Sequence, residues 1–133
     1  MLQFTDFIVD CPAPLELAAF YSRVVGREVK PGSDNDWAGI AYGALELAFQ
    51  RVDDYRPPQW PRSEHPKQFH LDFEVDEFEP ERRRMVELGA TFQREFISAR
   101  GYGWQVFTDP VGHPFCLCRN EGVKWADGRI VHG

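Results

Sequence analysis

The sequence predicts an α+β fold in which one arrangement, a strand followed by a helix and three more strands, occurs twice. Two observations indicate this class. First, strand-like and helical segments come in the same order in both halves of the chain. Second, each predicted helix ends at a glycine followed by a short apolar segment, at residues 26–29 and 89–92. With 133 residues, 43% of them hydrophobic, the chain has the size and composition of a single globular domain.

The first half opens with an apolar strand at residues 4–9. Asp10 and the prolines at positions 12 and 14 indicate the start of a helix, since aspartate is a common helix cap and proline is tolerated in the first turn. Apolar residues at helical spacing then lead to a glycine that ends the helix: Leu17, Phe20, Tyr21, Val24 and Gly26. The remaining predicted elements of this half are a brief strand, a turn-rich loop and two strands, at residues 27–30, 31–36, 37–42 and 44–52.

The second half repeats this order, beginning with a strand at residues 69–75. Asp76 is a candidate helix cap, Pro80 falls in the first helical turn and Gly89 ends the helix. Three further strands complete this half, at residues 90–93, 103–108 and 114–118. A segment rich in proline and aromatic residues joins the halves at 57–67, and a tail at 120–133 is assigned to no predicted element.

Charge and composition argue against several classes of partner. The net charge of −6 disfavours nucleic acid, and the basic residues 82–84 lie among glutamates, as on the exposed face of a helix. A membrane is also not expected, because no apolar run approaches the ~20 residues that cross a bilayer and the first residues lack the features of a signal peptide. Three cysteines do not make a disulfide framework, so we expect a cytoplasmic protein.

The first and last strands of each half share one pattern. One face of each strand is continuously apolar, whereas the other mixes ionisable, amide and thiol groups with small residues and is short of lysine and arginine. The residues of this second face are Asp6, Ile8, Glu46, Ala48, Gln50, His70, Asp72, Glu74, Cys116 and Cys118. Such a face is typical of a sheet that lines a pocket, although a half-exposed sheet with its acids in water fits the alternation equally well.

Several segments resemble the vicinal oxygen chelate superfamily, which includes glyoxalases, bleomycin-resistance proteins and extradiol dioxygenases. The segment "FTDPVGHPFCLC" is similar to the closing hairpin of that family, in which Gly112 supplies the positive φ of the turn. "AAFYSRVVGREV" is similar to the first helix of the family, "FHLDFEVDE" and "RMVELGATF" to its second module, and "LAFQRVDDYRPPQWP" to its glyoxalase-like branch. The likeness covers nearly all of residues 1–119.

The resemblance implies a single glyoxalase-like domain at residues 1–119. It would consist of two βαβββ modules, at about 1–56 and 68–119, joined by the linker at 57–67 and followed by the tail. Each module would curl into half of a barrel, so that a mixed sheet encloses one cleft with the helices outside. The resemblance also implies a homodimer that binds a small molecule.

In metal-binding members of the family, four positions on the first and last strands of the modules hold a divalent ion. Carried over to this chain, they fall at Asp6, Glu46, His70 and Cys116, with Gln50 as a second candidate if the register differs. Asp6 stands where histidine or glutamine is common, and Cys116 where glutamate is common. These four ligand types imply a site for manganese, iron(II), nickel or zinc, and a thiolate ligand from Cys116 would favour zinc. A cleft that has lost its metal and keeps these groups for hydrogen bonding is the alternative.

Two functions remain open from the sequence. In the first, a metal-dependent lyase or isomerase acts on an oxygen-rich small substrate, with Glu46 as metal ligand and general base and His70 as metal ligand. In the second, the protein sequesters a drug-like or metabolite ligand without a metal. Four aromatic residues are predicted to stack on the ligand, although core packing or a dimer contact explains each of them equally well: Trp37, Trp60, Trp104 and Phe107.

Overall fold

The computed structural model describes residues 1–59 and 64–131, and these residues form two helices and nine strands. In chain order the elements are β1 (Asp6–Cys11), α1 (Pro14–Val25), β2 (Trp37–Tyr42), β3 (Leu45–Arg51), β4 (Leu71–Glu74), α2 (Phe78–Leu88), β5 (Thr91–Ile97), β6 (Gly103–Thr108), β7 (Pro114–Arg119), β8 (Lys124–Ala126) and β9 (Arg129–Val131). They divide between two compact units, Met1–Pro57 and Pro58–Gly133. Helices combined with sheets of mixed parallel and antiparallel pairing confirm the predicted α+β class.

The first unit is a three-stranded sheet in the order β1-β3-β2, with β1 parallel and β2 antiparallel to β3. Helix α1 covers one face of this sheet, where the rings of Tyr21 and Phe49 stack with their centroids 5.5 Å apart. Asp10 does not cap this helix. Instead, Asn35 Oδ1 accepts a hydrogen bond from the backbone N–H of Leu15 at 3.3 Å. The accepting oxygen comes from a loop that is distant in sequence, so the local pattern does not reveal it.

The second unit is a four-stranded sheet in the order β4-β7-β6-β5, and α2 covers one of its faces. The guanidinium carbon of Arg82 in α2 lies 3.7 Å from the ring centroid of Phe92 in β5. The strand order matches that of the first unit with one strand added at the edge. In the first unit, where the sequence predicts that strand at 27–30, only a bridge between Val29 and Ile40 is present. The predicted repeat is confirmed with this one element shortened.

Alternation along the strands defines two faces of the second sheet. Phe107 and Phe115 are cross-strand partners whose rings stack 5.4 Å apart, on the side of α2. The residues that alternate with these along each strand point to the opposite side of the sheet, which is called the helix-free face. Strand pairing arranges its residues in two rows, one of Asp72, Cys116, Val106 and Arg94, the other of Glu74, Cys118, Trp104 and Phe96.

Both predicted helix ends are confirmed. Gly26 and Gly89 are the C-caps of α1 and α2 with φ of 68° and 112°, a left-handed conformation that glycine adopts without strain. The strand after Gly89 is longer than predicted, since β5 continues beyond a bulge between Phe92 and Arg94. A bulge inserts a residue that breaks the regular alternation, which explains why the apolar pattern stops short of the true strand end.

The tail at 120–133 contains the hairpin of β8 and β9, in which Trp125 and Ile130 are partners. The sequence assigns no element to this segment, because each strand is only three residues long. Neither helix in the described part of the chain has the length and apolar character needed to span a membrane.

Candidate functional site

Asp6 and Glu46 lie on the face of the first sheet that α1 leaves uncovered. Strands β1 and β3 run parallel with Asp6 opposite Glu46, and Gln50 follows on the same face of β3. The side chain of Glu46 is 22% exposed, and its Oε2 lies 3.2 Å from Lys30 Nζ. Lys30 is held beside the sheet because its backbone N–H donates to the carbonyl oxygen of Gly39 at 2.8 Å. Asp6 and Glu46 are therefore neighbours, and Lys30 balances the charge of Glu46.

His70 and Asp72 are in contact at the start of β4. His70 Nε2 lies 3.3 Å from Asp72 Oδ1, and the two side chains are 35% and 59% exposed. Cys116 is the partner of Asp72 on β7, so that its thiol projects from the same face. In residues 1–59 and 64–131 these three form the one group of histidine, cysteine and acidic side chains close enough to share a metal, with ligand atoms all within 4.8 Å.

Asp72 is the functional candidate that the sequence-derived site omits. It lies between the two predicted ligands of this unit, in contact with His70 and opposite Cys116. The signal that indicates it is the alternation of "FHLDFEV", which places residues 70 and 72 on one face of the strand. Its contact with Cys116 depends on the register between β4 and β7, which the local sequence does not contain.

The thiols of Cys116 and Cys118 are buried and free of any disulfide. Burial raises the pKa of the Cys116 thiol to about 11, and the Asp72 carboxylate adds to the rise through its charge and by accepting a hydrogen bond. Burial and the charge of Asp72 likewise raise the pKa of Cys118 to about 12. Both thiols are therefore protonated near neutral pH, and a metal bound at Cys116 has to displace a proton.

An exposed aromatic pair lies on the helix-free face of the same sheet. Trp104 and Phe96 are cross-strand partners with ring centroids 5.2 Å apart, and they are 46% and 44% exposed. A buried strip separates this pair from β4: Val106, Cys116 and Cys118. Exposed rings beside an apolar strip with a few placed polar groups are typical of sites that bind small molecules.

The other predicted aromatic residues have different surroundings. Phe107 is fully buried on the side of α2, where its ring contacts those of Phe92 and Phe115, so it packs in the core. Trp37 is 38% exposed and is the cross-strand partner of Gln50 on β3, in the first unit. Trp60 lies outside the described residues.

The donor set of the second unit fits a borderline divalent ion. The imidazole of His70, the carboxylate of Asp72 and the thiol of Cys116, once deprotonated, are ligand types that zinc uses, and their spacing allows them to turn towards one ion. Asp6 and Glu46 belong to the other unit. The convergence of all four predicted positions on one ion stays a prediction.

A glyoxalase-like domain profile matches residues 6–118, which is most of the chain. The chain belongs to the glyoxalase-like domain family. Membership confirms the resemblance to the vicinal oxygen chelate superfamily that the sequence motifs indicate. No curated protein matches the chain significantly.

Solved structures share the fold of this glyoxalase-like domain. A glyoxalase-related enzyme from Fulvimarina pelagi is 18% identical, with a TM-score of 0.68 and 99% of each chain covered. A glyoxalase/bleomycin resistance protein/dioxygenase family enzyme from Burkholderia phytofirmans PsJN is 15% identical, with a TM-score of 0.64 over 89% of this chain and 98% of that chain. Lactoylglutathione lyase from Agrobacterium tumefaciens is 17% identical, with a TM-score of 0.61 over 89% and 93%. At these identities the likeness establishes the fold alone.

Proposed function

We propose that this protein binds a small organic molecule on the helix-free face of the second sheet. The observation that carries the proposal is that one face presents both the exposed rings of Phe96 and Trp104 and the contacting pair of His70 and Asp72. Membership in a superfamily that includes bleomycin-resistance proteins supports the same function.

Strand pairing sets the distance between the aromatic and the polar ends of this surface. Strands β4 and β6 are separated by β7, and neighbouring strands lie about 4.8 Å apart. Trp104 is also offset from Asp72 by two residues along the strands, since it pairs with Cys118 and Asp72 with Cys116, so the two backbone positions are about 12 Å apart. A ligand with one or two flat rings and a polar group at one end spans this distance, with its rings on Trp104 and its polar group at Asp72.

The carboxylates of this face indicate the charge of the ligand. Glu74 already accepts two hydrogen bonds from Asn120, from the backbone N–H at 2.6 Å and from Nδ2 at 2.7 Å. The Asp72 side chain is 59% exposed and has an oxygen accessible to a further donor. An amine, which donates charge-assisted hydrogen bonds, complements Asp72 better than a carboxylate does. The ligand class that fits is therefore a cationic aromatic amine.

Thermal melting with matched series of aromatic amines and aromatic carboxylates tests this function. The amines are expected to raise the melting temperature, because a ligand that binds only the folded state stabilises it. The rise is expected to disappear in Trp104→Ala and in Asp72→Asn, and to persist in Trp125→Phe, a control in the β8–β9 hairpin. The proposal is wrong if the two series shift melting equally, if neither does, or if Trp104→Ala keeps the shift.

A metal-dependent lyase or isomerase is the second candidate, and the grouping of His70, Asp72 and Cys116 favours it. When bound, a divalent ion supplies Lewis-acid stabilisation of negative charge that develops on a substrate oxygen. His70 and Asp72 would hold the ion, and Cys116 would join them on losing its proton. The role of Glu46 as general base is what the family resemblance implies, and within the first unit its carboxylate lies 3.2 Å from Lys30 Nζ.

Elemental analysis of protein purified without chelator, followed by melting scans with manganese, nickel, zinc and iron(II), tests this candidate. A rise in melting temperature that a chelator reverses, and that is absent in His70→Ala but present in His65→Ala, supports the metal-dependent function. His65 is a suitable control because it lies outside the three-residue group. If no ion raises the melting temperature, this candidate should be abandoned.

A further inference from the structure

Cys118 is a second thiol beside Cys116, and neither the predicted ligand set nor the group of His70, Asp72 and Cys116 includes it. The two cysteines point to the same side of β7, and they are 6% and 9% exposed. Asp72 is the cross-strand partner of Cys116, and its carboxylate helps to raise the pKa of both thiols. Two reduced thiols thus lie on one face of β7, beside a carboxylate and in a mostly apolar strip.

These two thiols are poorly placed to form a disulfide with each other. Residues two apart on a strand are separated by about 7 Å, whereas the Cβ atoms of a disulfide lie about 4 Å apart. Rotation about the Cα–Cβ bonds can still turn the two sulfur atoms towards each other. Two zinc–sulfur bonds of about 2.3 Å span sulfur atoms up to about 4.6 Å apart, and the larger Cd²⁺ ion spans at least this distance. The geometry therefore suits a shared ion better than a sulfur–sulfur bond.

We propose that Cys116 and Cys118 bind one soft divalent ion, Cd²⁺ or Hg²⁺, as a pair of thiolates, with Asp72 as an oxygen donor. Soft ions favour thiolate ligands, whereas manganese and magnesium favour oxygen. As the ion binds, two S–H bonds break, two metal–sulfur bonds form and two protons leave to solvent. No electron is transferred.

Charge explains why a buried thiol pair accepts such an ion. A divalent cation with two thiolates is neutral, so the charge that remains at the site is that of Asp72, whose side chain is 59% exposed to solvent. Val106 lies opposite Cys116 and is 6% exposed, which limits the access of water to the sulfur atoms. The site differs from the metal site of the second candidate function in its second thiol and in the class of ion. It does not depend on the binding of an organic ligand.

Titration of the reduced, full-length protein with Cd²⁺ tests the proposal. The readouts are the ultraviolet thiolate-to-cadmium charge-transfer absorption and the protons released per ion, followed with a pH indicator. The absorption is expected to saturate at one ion per chain with two protons released, one from each of the two thiols. Cys118→Ser is expected to lose most of the absorption and to release one proton fewer.

Cys11→Ser is the matched control. Cys11 is also buried and forms no disulfide, but it lies in the first unit, where its Sγ donates to the carbonyl oxygen of Gln50 at 3.7 Å. A serine keeps a donor there, and the cadmium absorption is expected to be unchanged. The proposal is overturned if Cys118→Ser keeps the full absorption and proton release, or if Cys11→Ser loses them.

Two further measurements keep the test decisive. If circular dichroism shows that Cys118→Ser does not fold, X-ray absorption at the cadmium edge of the unaltered protein counts the bound sulfur atoms, and fewer than two overturns the proposal. Trp104→Ala, which is expected to abolish amine binding, should leave the cadmium absorption unchanged. The ion site and the organic-ligand site can therefore fail separately.

Discussion

The carboxylate of Glu46 occupies the space above Gly39 that a side chain at position 39 would need. Gly39 lies on β2 and Glu46 on the neighbouring β3, and a Cβ atom at position 39 would overlap Glu46 Oε1. From this position the carboxylate reaches Lys30 Nζ at 3.2 Å. The missing side chain at position 39 is therefore what allows the contact between Glu46 and Lys30.

Gly39→Ala is expected to lower the free energy of unfolding by about 1 kcal/mol or less, because the new methyl group turns the flexible carboxylate of Glu46 away from Lys30 and breaks a partly exposed ion pair. In a Glu46→Ala background the same change should cost much less, since the overlapping carboxylate is gone. Urea unfolding of the wild type, both single variants and the double variant measures this coupling. Strictly additive costs would contradict the close approach of the two residues.

Gly103 in β6 is expected to tolerate alanine poorly. Its φ is +145°, and a Cβ atom there would overlap the backbone carbonyl oxygen of Phe96, which cannot move without disrupting β5. Gly103→Ala should therefore cost about 3 kcal/mol or more. Gly122→Ala is the control, because Gly122 has a φ of +87° and open space around it. Its cost should be about 1–2 kcal/mol, and equal losses in urea unfolding would refute the steric explanation.

The two raised thiol pKa values predict that stability falls in alkaline solution. Unfolding returns the thiols of Cys116 and Cys118 to an ordinary pKa of 9.0, whereas in the folded protein they ionise at about 11 and about 12. Above 9.0 the unfolded chain therefore binds fewer protons than the folded protein does, and the free energy of unfolding decreases as pH rises. This contribution is complete below 9.0 and is lost between 9.0 and about 12.

Urea unfolding across that pH range checks this prediction. The double variant Cys116→Ala with Cys118→Ala is expected to have a shallower decline than the wild type. A double variant as steep as the wild type would show that other groups cause the alkaline loss.

Arg82 and Arg83 are adjacent arginines that should differ in their contribution to stability. The guanidinium of Arg82 lies 3.7 Å from the ring centroid of Phe92, whereas Arg83 is exposed. Arg82→Ala is expected to cost about 1 kcal/mol through loss of this cation–π contact and of side-chain packing. Arg83→Ala should stay within about 0.5 kcal/mol of the wild type in thermal or urea unfolding. A ranking in the opposite order would contradict the packing of α2 on β5.

Local patterns predicted most of the secondary structure. Strands β2 and β6 have the predicted bounds, and both helices end at the predicted glycines. These predictions succeed because alternation and glycine caps act over a few neighbouring residues. The cap predicted at Asp10 and the strand predicted at 27–30 failed because partners distant in sequence decide both.

The candidate site also has one part that the local sequence predicts and another that depends on partners distant in the chain. His70 and Cys116 lie on one face, as the strand alternation predicts, but their common neighbour Asp72 is identified only when β4 pairs with β7. Phe107 lies three residues from Trp104, and an odd spacing places two residues on opposite faces of a strand. The sequence alone therefore contained the reason why Trp104 is exposed on the helix-free face and Phe107 is packed in the core.

By itself, the sequence determined the family, the repeated order of elements and the face on which each strand residue lies, because these follow from short-range backbone geometry. Only the tertiary structure decided which side chains meet. The contacts of Asp72 with His70 and the two thiols, and of Glu46 with Lys30, depend on strand register and side-chain placement. Register is set by the packing of residues far apart in the chain, and a shift of one position would turn every one of these side chains to the other face.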